Sequence, residues 1–342
     1  MKPVLRFVLT AFVLLMGASA PRASAPRASA PPAVAHPGTE AFIQRAVAEF
    51  DLDPVELERL LAEGEFKQSI VDAISRPAEG KPWHEYRPIF LNERRITEGV
   101  AFWRTHEDLI ARVAAKFGVE PQIIVAVIGV ETLYGRITGS YRVLDALVTL
   151  GFYYPSALER DRSGFFSTEL MHFIKLAEEE GLPLSEVTGS YAGAMGMGQF
   201  IPSSYRKYAV DFDDNGSRDL WRSTADVVAS VANYLSVHGW RAGEPVSVPA
   251  KALPAADPAL ATGKDFKPRL SAGEIAQKGY HSDAAVDPAR PAAVLRLDER
   301  DGDSYWLTFD NFYVITHYNR SPLYAMAVLQ LSEEILRGMH TQ

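Results

Sequence analysis

The run PQIIVAVIGVETLYG at residues 121–135 constrains the fold of this chain more than any other segment. Proline at its start and glycine at its end are typical of the first turn and the end of a helix. The run is almost wholly apolar, and Glu131 is its one acidic residue. At a period of 3.6 residues, this side chain shares a face with Ile124, Val127 and Ile128. The pattern therefore predicts a helix that carries a carboxyl group into apolar surroundings.

Two effects act against the charged form of Glu131 in such a helix. Apolar surroundings remove water from a carboxylate, and the C-terminal end of a helix carries partial negative charge. Both raise the pKa, and a carboxyl group that stays protonated near neutral pH is suited to act as a general acid. A buried glutamate paired with an arginine elsewhere is the alternative, and this segment alone leaves both interpretations open.

Composition excludes several classes of function. The 342 residues include 43 acidic and 35 basic residues, for a formal net charge of −8. Without a basic stripe, we expect no nucleic-acid binding. The chain has no cysteine, which excludes disulfides, thiol catalysis, cysteine-ligated zinc and a lipoprotein anchor.

The N-terminal region resembles an export signal. Lys2 and Arg6 precede the apolar run FVLTAFVLLMGASA, which is short for a membrane span of ~20 residues. We expect a signal sequence at residues 1–20. Pro21 follows the first possible cleavage site, so the cleavage point stays open and an uncleaved membrane tether is the alternative. Residues 21–38 repeat PRASA and are predicted to be a Pro/Ala-rich linker.

The rest of the chain predicts an α+β fold that is mainly α. Residues 39–244 read as mostly helical, residues 245–310 as a small β insertion, and residues 311–342 as a C-terminal return to the helical core. The predicted helices are 40–50, 54–63, 96–117, 121–134, 164–180, 224–238 and a final helix capped by Ser321. The predicted strands are 245–248, 293–297 and 304–309, and residues 250–290 are expected to be mainly loops.

The segment GSYAGAMGMGQFIPSSY at residues 189–205 is rich in glycine. Glycine allows backbone to approach a ligand closely, and Ser190 and Gln199 offer partners for sugar hydroxyls or acetamides. A tight contact between helices built from small residues is the alternative. The segment lacks the lysine that a phosphate-binding loop requires.

The segment DFDDNGSRDLW at residues 211–221 matches a calcium loop. Its oxygen-bearing residues occupy positions 1, 3, 5, 7 and 9, namely Asp211, Asp213, Asn215, Ser217 and Asp219, and Gly216 takes position 6. Position 12 is Arg222 instead of glutamate, so we expect Asp226 to close the site. The alternatives are sodium as the ion and an acidic surface turn without one.

Four tyrosines, Tyr86, Tyr234, Tyr318 and Tyr324, have the amphipathic rings that stack on sugars, although each alone is also compatible with a half-buried core position. Together with SVANYLSVHGW and FYVITHYNRSPLYAMAV, the segments quoted above resemble the lytic murein transglycosylase B family, glycoside hydrolase family 103. The motifs share the family's order and separation, and the resemblance extends from about residue 40 to 336.

The resemblance implies a lysozyme-like core with a helical lobe, a small β domain and an EF-hand-like calcium loop. It implies cleavage of the β-1,4 bond between N-acetylmuramic acid and N-acetylglucosamine in peptidoglycan, with a 1,6-anhydromuramic end and Glu131 as the single acid and base. The family's saccharide-binding positions correspond to Ser190, Gln199, Tyr234, Tyr318, Asn319, Tyr324 and Tyr86. Its metal positions correspond to Asp211, Asp213, Asn215, Ser217 and Asp226.

The resemblance also sets the remaining expectations. These are a periplasmic monomer that acts on glycan strands, possible complexes with cell-wall enzymes, a structural Ca²⁺ or Na⁺, and no cofactor for catalysis. The family's arginine pair after Tyr154-Pro155 is absent, which leaves the role of Arg160 or Arg162 open. A hydrolytic muramidase on the same core and a non-catalytic peptidoglycan-binding protein are the alternatives.

Overall fold

A computed structural model of the chain describes residues 33–76, 80–261 and 266–341. The predicted signal sequence and most of the predicted linker lie outside these residues. The described helices are α1 (Thr39–Phe50), α2 (Pro54–Glu63), α3 (Gln68–Ile74), α4 (Trp83–Phe90), α5 (Glu93–Thr105), α6 (Glu107–Phe117), α7 (Pro121–Thr132), α8 (Val143–Phe152), α9 (Ser163–Glu180), α10 (Pro202–Tyr208), α11 (Thr224–Val237), α12 (Ala272–Gln277), α13 (Asp310–Tyr318) and α14 (Pro322–His340). The strands are β1 (Tyr141–Arg142), β2 (Thr188–Gly189), β3 (Ser247–Ala252), β4 (Leu270–Ser271), β5 (Tyr280–His281), β6 (Pro291–Glu299) and β7 (Gly302–Thr308). The predicted α+β class, mainly α, is confirmed.

The chain divides into two compact units. The first, which we call the helical unit, contains the described residues of 33–76 and 135–227. The second, which we call the sheet unit, contains 80–134 and 228–341, and helix α11 runs across the division.

In the helical unit, α8 and α9 form the central pair, and α1, α3 and α10 pack against them. Two side chains of α8 hold the loop before α3: Asp145 accepts from the Glu65 amide at 2.9 Å, and Thr149 accepts from the Lys67 amide at 3.0 Å. The last residues of the predicted linker, 33–38, are folded here. They include a short 3₁₀ turn, and the His36 ring packs edge-on against Phe152 and Tyr153.

In the sheet unit, five antiparallel strands have the order β4-β6-β7-β3-β5. The β6–β7 hairpin pairs Val294 with Leu307, and these side chains join the buried core of the sheet. The prediction of loops at 250–290 was wrong in part, since α12 lies there. Its N-terminus is a capping box in which Ser271 accepts from the Glu274 amide and Glu274 accepts from the Ser271 amide.

Helix α7 of the sheet unit packs against α5, α6 and α14. The predicted single helix at 96–117 is two helices, because the chain leaves helical geometry at His106. Glu107 and Asp108 then lie in the first turn of α6, where acidic side chains stabilise a helix start. Among the described residues, no single helix is long and apolar enough to span a membrane. Helices α6 and α7 have that length and apolarity only when they are taken together, and the pair is bent by 110°.

Candidate active site

Helix α7 places Glu131 inside the sheet unit. Every residue of α7 from Ile123 to Thr132 is buried, and the Glu131 side chain is no exception, with 6% of its surface exposed. The helix ends one residue later, at Thr132. The prediction of a carboxyl group in apolar surroundings near the end of a buried helix is therefore confirmed.

The Glu131 carboxyl has a neutral partner. The Tyr324 hydroxyl, on α14, donates a hydrogen bond to Glu131 Oε1 at 2.6 Å. Within the described residues no arginine or lysine pairs with Glu131, so the alternative of a buried ion pair is wrong. Burial raises the pKa of Glu131 to about 8, and the bond from Tyr324 lowers it by less. The carboxyl group is therefore mainly protonated at neutral pH.

Local sequence explains how Tyr324 reaches this position. Ser321 caps the start of α14 by accepting from the Tyr324 amide at 3.4 Å, and Pro322 occupies the first helical position. The residue before this turn is also fixed: Asn319 Oδ1 accepts from the Ser321 amide at 3.1 Å. Asn319, predicted to bind saccharide, thus helps to shape the turn that presents Tyr324.

Three of the predicted saccharide tyrosines form a continuous aromatic row. The Tyr324 and Tyr318 rings are nearly parallel with centroids 6.5 Å apart, and Tyr234 meets Tyr318 edge-on at 4.8 Å. The Tyr234 hydroxyl donates to the His317 carbonyl at 2.7 Å. Burial raises the pKa of Tyr318 and Tyr324 well above the ordinary value, so both hydroxyls stay protonated.

Tyr86 lies on α4, which packs against α14. Its side chain is buried, stacks on Trp83 at 6.2 Å between centroids, and contacts Phe90 at 5.1 Å. The structure therefore brings Tyr86, Tyr234, Tyr318, Asn319 and Tyr324 together with Glu131 in one unit.

Ser190 and Gln199 belong to the helical unit and are both buried. Ser190 Oγ accepts from the amides of Ala192 and Ala194, at 3.2 and 3.0 Å, and so closes the glycine-rich turn. Gln199 Nε2 donates to the carbonyls of Thr138 and Gly196, at 3.0 and 2.9 Å. Gln199 Oε1 remains as an acceptor, and its residue holds a left-handed backbone with φ of 50°.

The predicted calcium loop also lies in the helical unit. Carboxylate oxygens of Asp211, Asp213 and Asp226 lie within 4.8 Å of one another. Gly216 has φ of 88°, as the sharp turn at position 6 requires. Asn215 Oδ1 also accepts from the Ser217 amide at 3.0 Å, which closes the turn.

Asp219 at position 9 accepts from the amides of Trp221 and Arg222, at 2.9 and 3.0 Å, and so caps the following turn. Ser223, just before α11, caps this helix by accepting from the Asp226 amide at 3.2 Å. Its hydroxyl also donates to Asp213 at 2.8 Å. The cap of α11 is thus part of the acidic cluster.

Two further side chains were not assigned a contact from the sequence. Glu169 on α9 is buried and accepts from the amide and hydroxyl of Ser203, at 2.9 and 2.7 Å, which holds the start of α10. Burial raises the pKa of Glu169 to about 7. Arg162 lies over the rings of Phe165 and Phe166, at 4.9 and 5.3 Å from their centroids. No local pattern signals the Glu169–Ser203 contact, since the two residues are far apart in sequence.

Comparisons with known proteins identify the family of this chain. A family model described as Transglycosylase SLT domain matches residues 35–333. The membrane-bound lytic murein transglycosylase B of Escherichia coli (strain K12) is 39% identical over 310 residues, which is 88% of this chain and 83% of that protein.

Solved structures extend the similarity to the fold. Lytic transglycosylase SltB1 from Pseudomonas aeruginosa is 44% identical with a TM-score of 0.83, covering 90% of this chain and 99% of that one. The Escherichia coli lytic transglycosylase Slt35 in complex with calcium is 37% identical with a TM-score of 0.78, covering 89% and 94%.

SltB3 from Pseudomonas aeruginosa, in complex with NAG-anhNAM-pentapeptide, is 31% identical with a TM-score of 0.73 and covers 87% and 78%. The family model matches most of the chain. The relatives that align with it over most of their own length are lytic transglycosylases. The chain therefore belongs to the transglycosylase SLT domain family and is a lytic murein transglycosylase.

Proposed function

We propose that Glu131 cleaves the β-1,4 bond between N-acetylmuramic acid and N-acetylglucosamine of peptidoglycan, first as an acid and then as a base. The observation that carries this proposal is a buried carboxyl group with a neutral hydroxyl partner and a pKa raised to about 8. Such a group holds a proton at neutral pH and is ready to donate it.

In the first step Glu131 donates its proton to the glycosidic oxygen. Tyr324 occupies Oε1, so we assign the transferred proton to Oε2. The bond between muramic C1 and the glycosidic oxygen breaks with its electron pair on that oxygen. The acetamide oxygen of the muramic sugar bonds to C1, as in substrate-assisted glycosidases, so a second carboxylate is not required.

In the second step the Glu131 carboxylate removes the proton of the muramic O6 hydroxyl. O6 then bonds to C1, and the bond from C1 to the acetamide oxygen breaks with its electron pair on that oxygen. The product is a 1,6-anhydromuramic end, and no water is consumed. If water instead attacked C1, the same acid would produce hydrolysis, so exclusion of water selects the lyase.

Mass spectrometry of the products from purified peptidoglycan tests this mechanism. We expect wild-type protein to release muropeptides that are lighter by one water than reducing-end products, and Glu131→Gln to release none. Reducing-end products would identify a hydrolytic muramidase. Cleavage by Glu131→Gln would exclude Glu131 as the acid. Saccharide binding by the glutamine variant, measured by calorimetry, controls for loss of the folded site.

We also propose that the row formed by Tyr234, Tyr318 and Tyr324, with Tyr86 and Asn319, binds the glycan strand. For Ser190 and Gln199 of the helical unit we propose saccharide binding as well. The chemistry supports this proposal, because the tyrosines have apolar rings, the hydroxyls of Tyr318 and Tyr324 stay protonated, and Gln199 keeps an acceptor oxygen. The complex of SltB3 with NAG-anhNAM-pentapeptide supports peptidoglycan as the ligand. We expect Gln199→Ala to raise KM for glycan strands more than it lowers kcat.

We infer that Asp211, Asp213 and Asp226 hold a structural calcium ion, with Asn215 and Ser217 completing the oxygen ligands. The clustered carboxylates and the turn at Gly216 fit a cation that prefers oxygen ligands. The complex of Slt35 with calcium supports the choice of ion. The ion would stabilise the loop and take no part in proton transfer.

We propose that the protein is exported to the periplasm, where murein lies, and acts as a monomer. The basic and apolar N-terminal residues support export. Fractionation of cells that produce the full chain tests this, since we expect the protein in the periplasmic fraction. Recovery from the cytoplasmic fraction would contradict it, and recovery with membranes would indicate the uncleaved tether.

A further inference from the structure

The turn after Glu131 has a backbone conformation that requires support. Leu133 and Tyr134 have φ of 50° and 57°, and Gly135 has φ of 84°. A left-handed conformation costs about 1–2 kcal/mol for each residue other than glycine. Two such residues in a row persist only where neighbouring side chains hold them.

The Tyr134 side chain supplies part of this support. Its hydroxyl donates to the Arg95 carbonyl on α5 at 2.9 Å, and its ring stacks on Phe102 at 5.5 Å between centroids. The ring fills space that two glycines leave open, Gly99 on α5 and Gly129 on α7. A Cβ atom on Gly129 would lie 2.6 Å from Tyr134 Cζ, so the ring requires glycine there.

The Arg95 side chain supplies the rest. Its Nε donates to the Gly129 carbonyl at 2.9 Å, and Nη1 donates to the carbonyl of Ile89. The Gly129 carbonyl also accepts from the Leu133 amide at 3.1 Å. Arg95 and Tyr134 therefore both contact Gly129, which lies two residues before Glu131 on α7. We call Arg95, Gly129 and Tyr134 the clasp.

We propose that Arg95 and Tyr134 are positioning residues for Glu131, which fix the last turn of α7 so that its carboxyl group stays on the Tyr324 hydroxyl. This inference rests on the proposed role of Glu131. The clasp acts through backbone, since Arg95 donates to carbonyl oxygens and forms no ion pair with Glu131 in the part of the chain that the structure describes.

Two conservative variants test the clasp. Tyr134→Phe keeps the ring and removes one hydrogen bond, and Arg95→Lys keeps the charge and loses the planar fork of donors. We expect each to lower kcat about tenfold with KM for glycan strands nearly unchanged, because misplacement of a catalytic group slows the chemical step. Tyr280→Phe is the matched control, since its hydroxyl also donates to a backbone carbonyl, of Asp257 at 3.0 Å, in the small sheet.

The pH profile of kcat separates positioning from a merely structural role. The groups that face the Glu131 carboxyl are the neutral hydroxyls of Tyr324 and Tyr318. A looser helix end admits water to this site and lowers the pKa of Glu131 from about 8. We therefore expect the alkaline limb of the profile to move to lower pH in both clasp variants and to stay in place in the control.

The outcomes are distinguishable from failure of the proposed function. Activity in Glu131→Gln would overturn the role of Glu131 itself, and the clasp with it. If Glu131→Gln is inactive but both clasp variants keep the wild-type kcat and alkaline limb, the clasp alone is overturned. A loss of kcat that only follows the folded fraction, measured by circular dichroism, would also overturn it. If Tyr134→Phe does not fold, Arg95→Lys decides the question.

Discussion

Replacing Glu131 by glutamine should change how stability depends on pH as well as abolishing cleavage. Glutamine has nearly the same shape and keeps an oxygen that can accept from the Tyr324 hydroxyl, but it cannot ionise. Wild type and variant therefore differ in one property, the charge that the buried group acquires at high pH. The comparison isolates that charge because every other titrating group is shared.

The sign and size of the effect follow from the pKa of Glu131, raised from an ordinary value of 4.5 to about 8. Below pH 4.5 the carboxyl is protonated in both folded and unfolded chains. Between pH 4.5 and 8 unfolding releases a proton, so stability falls by about 1.4 kcal/mol for each pH unit. The total loss approaches an upper limit of ~5 kcal/mol, on the order of 10 °C in Tm.

Thermal unfolding from pH 4.5 to 8.5 measures this difference. We expect the two proteins to melt together near pH 4.5 and the glutamine variant to melt progressively higher as the pH rises. Glu58→Gln, at an exposed position of α2, controls for the glutamine substitution itself. A difference in Tm that is constant with pH, or that favours wild type at pH 8, would refute the argument that burial keeps Glu131 protonated.

Four further outcomes are expected. The Tm of Glu169→Gln minus that of wild type should increase from pH 4.5 to about 7 and stay constant at higher pH, because burial raises the pKa of Glu169 to about 7. Thermal unfolding at several pH values measures this difference. Tyr324→Phe removes the hydrogen bond that lowers the pKa of Glu131, so the alkaline limb of kcat should move to higher pH. Excess calcium should raise Tm of wild type by several degrees, and Asp211→Ala should abolish this rise in calorimetry. Ser271→Ala removes the capping box of α12 and should lower the free energy of unfolding by about 1 kcal/mol, which denaturant unfolding measures.

Local patterns in the sequence predicted the parts of the fold that depend on near neighbours. The helix that carries Glu131 and the final helix with its Ser321 cap were both predicted because apolar periodicity and capping residues act within a few positions. Helix α12 also has a local signal, because Ser271 and Glu274 are three residues apart, as a capping box requires. Its neighbourhood, rich in proline, alanine and glycine, obscured that signal.

Contacts between distant residues could not be predicted in this way. Tyr324 lies 193 positions after Glu131, so no spacing in the sequence indicates their hydrogen bond. The resemblance to a known family brought both residues into one site without stating what joins them. Likewise, no spacing in the sequence indicates that the Ser190 oxygen accepts from two backbone amides of its own turn. Such bonds depend on a turn geometry that residue types alone do not specify.

The neutral surroundings of Glu131 also bear on the second half of the proposed reaction. An arginine or lysine paired with the carboxyl would stabilise its charged form, lower its pKa and leave it a poor acid at neutral pH. It would weaken the carboxylate as a base for the same reason. Burial against the Tyr324 hydroxyl instead keeps the pKa near 8, so one group has enough proton affinity both to hold a proton beforehand and to recover one from O6 afterwards. One physical cause, desolvation without an opposite charge, thus serves both steps, which explains how a single carboxyl group can suffice.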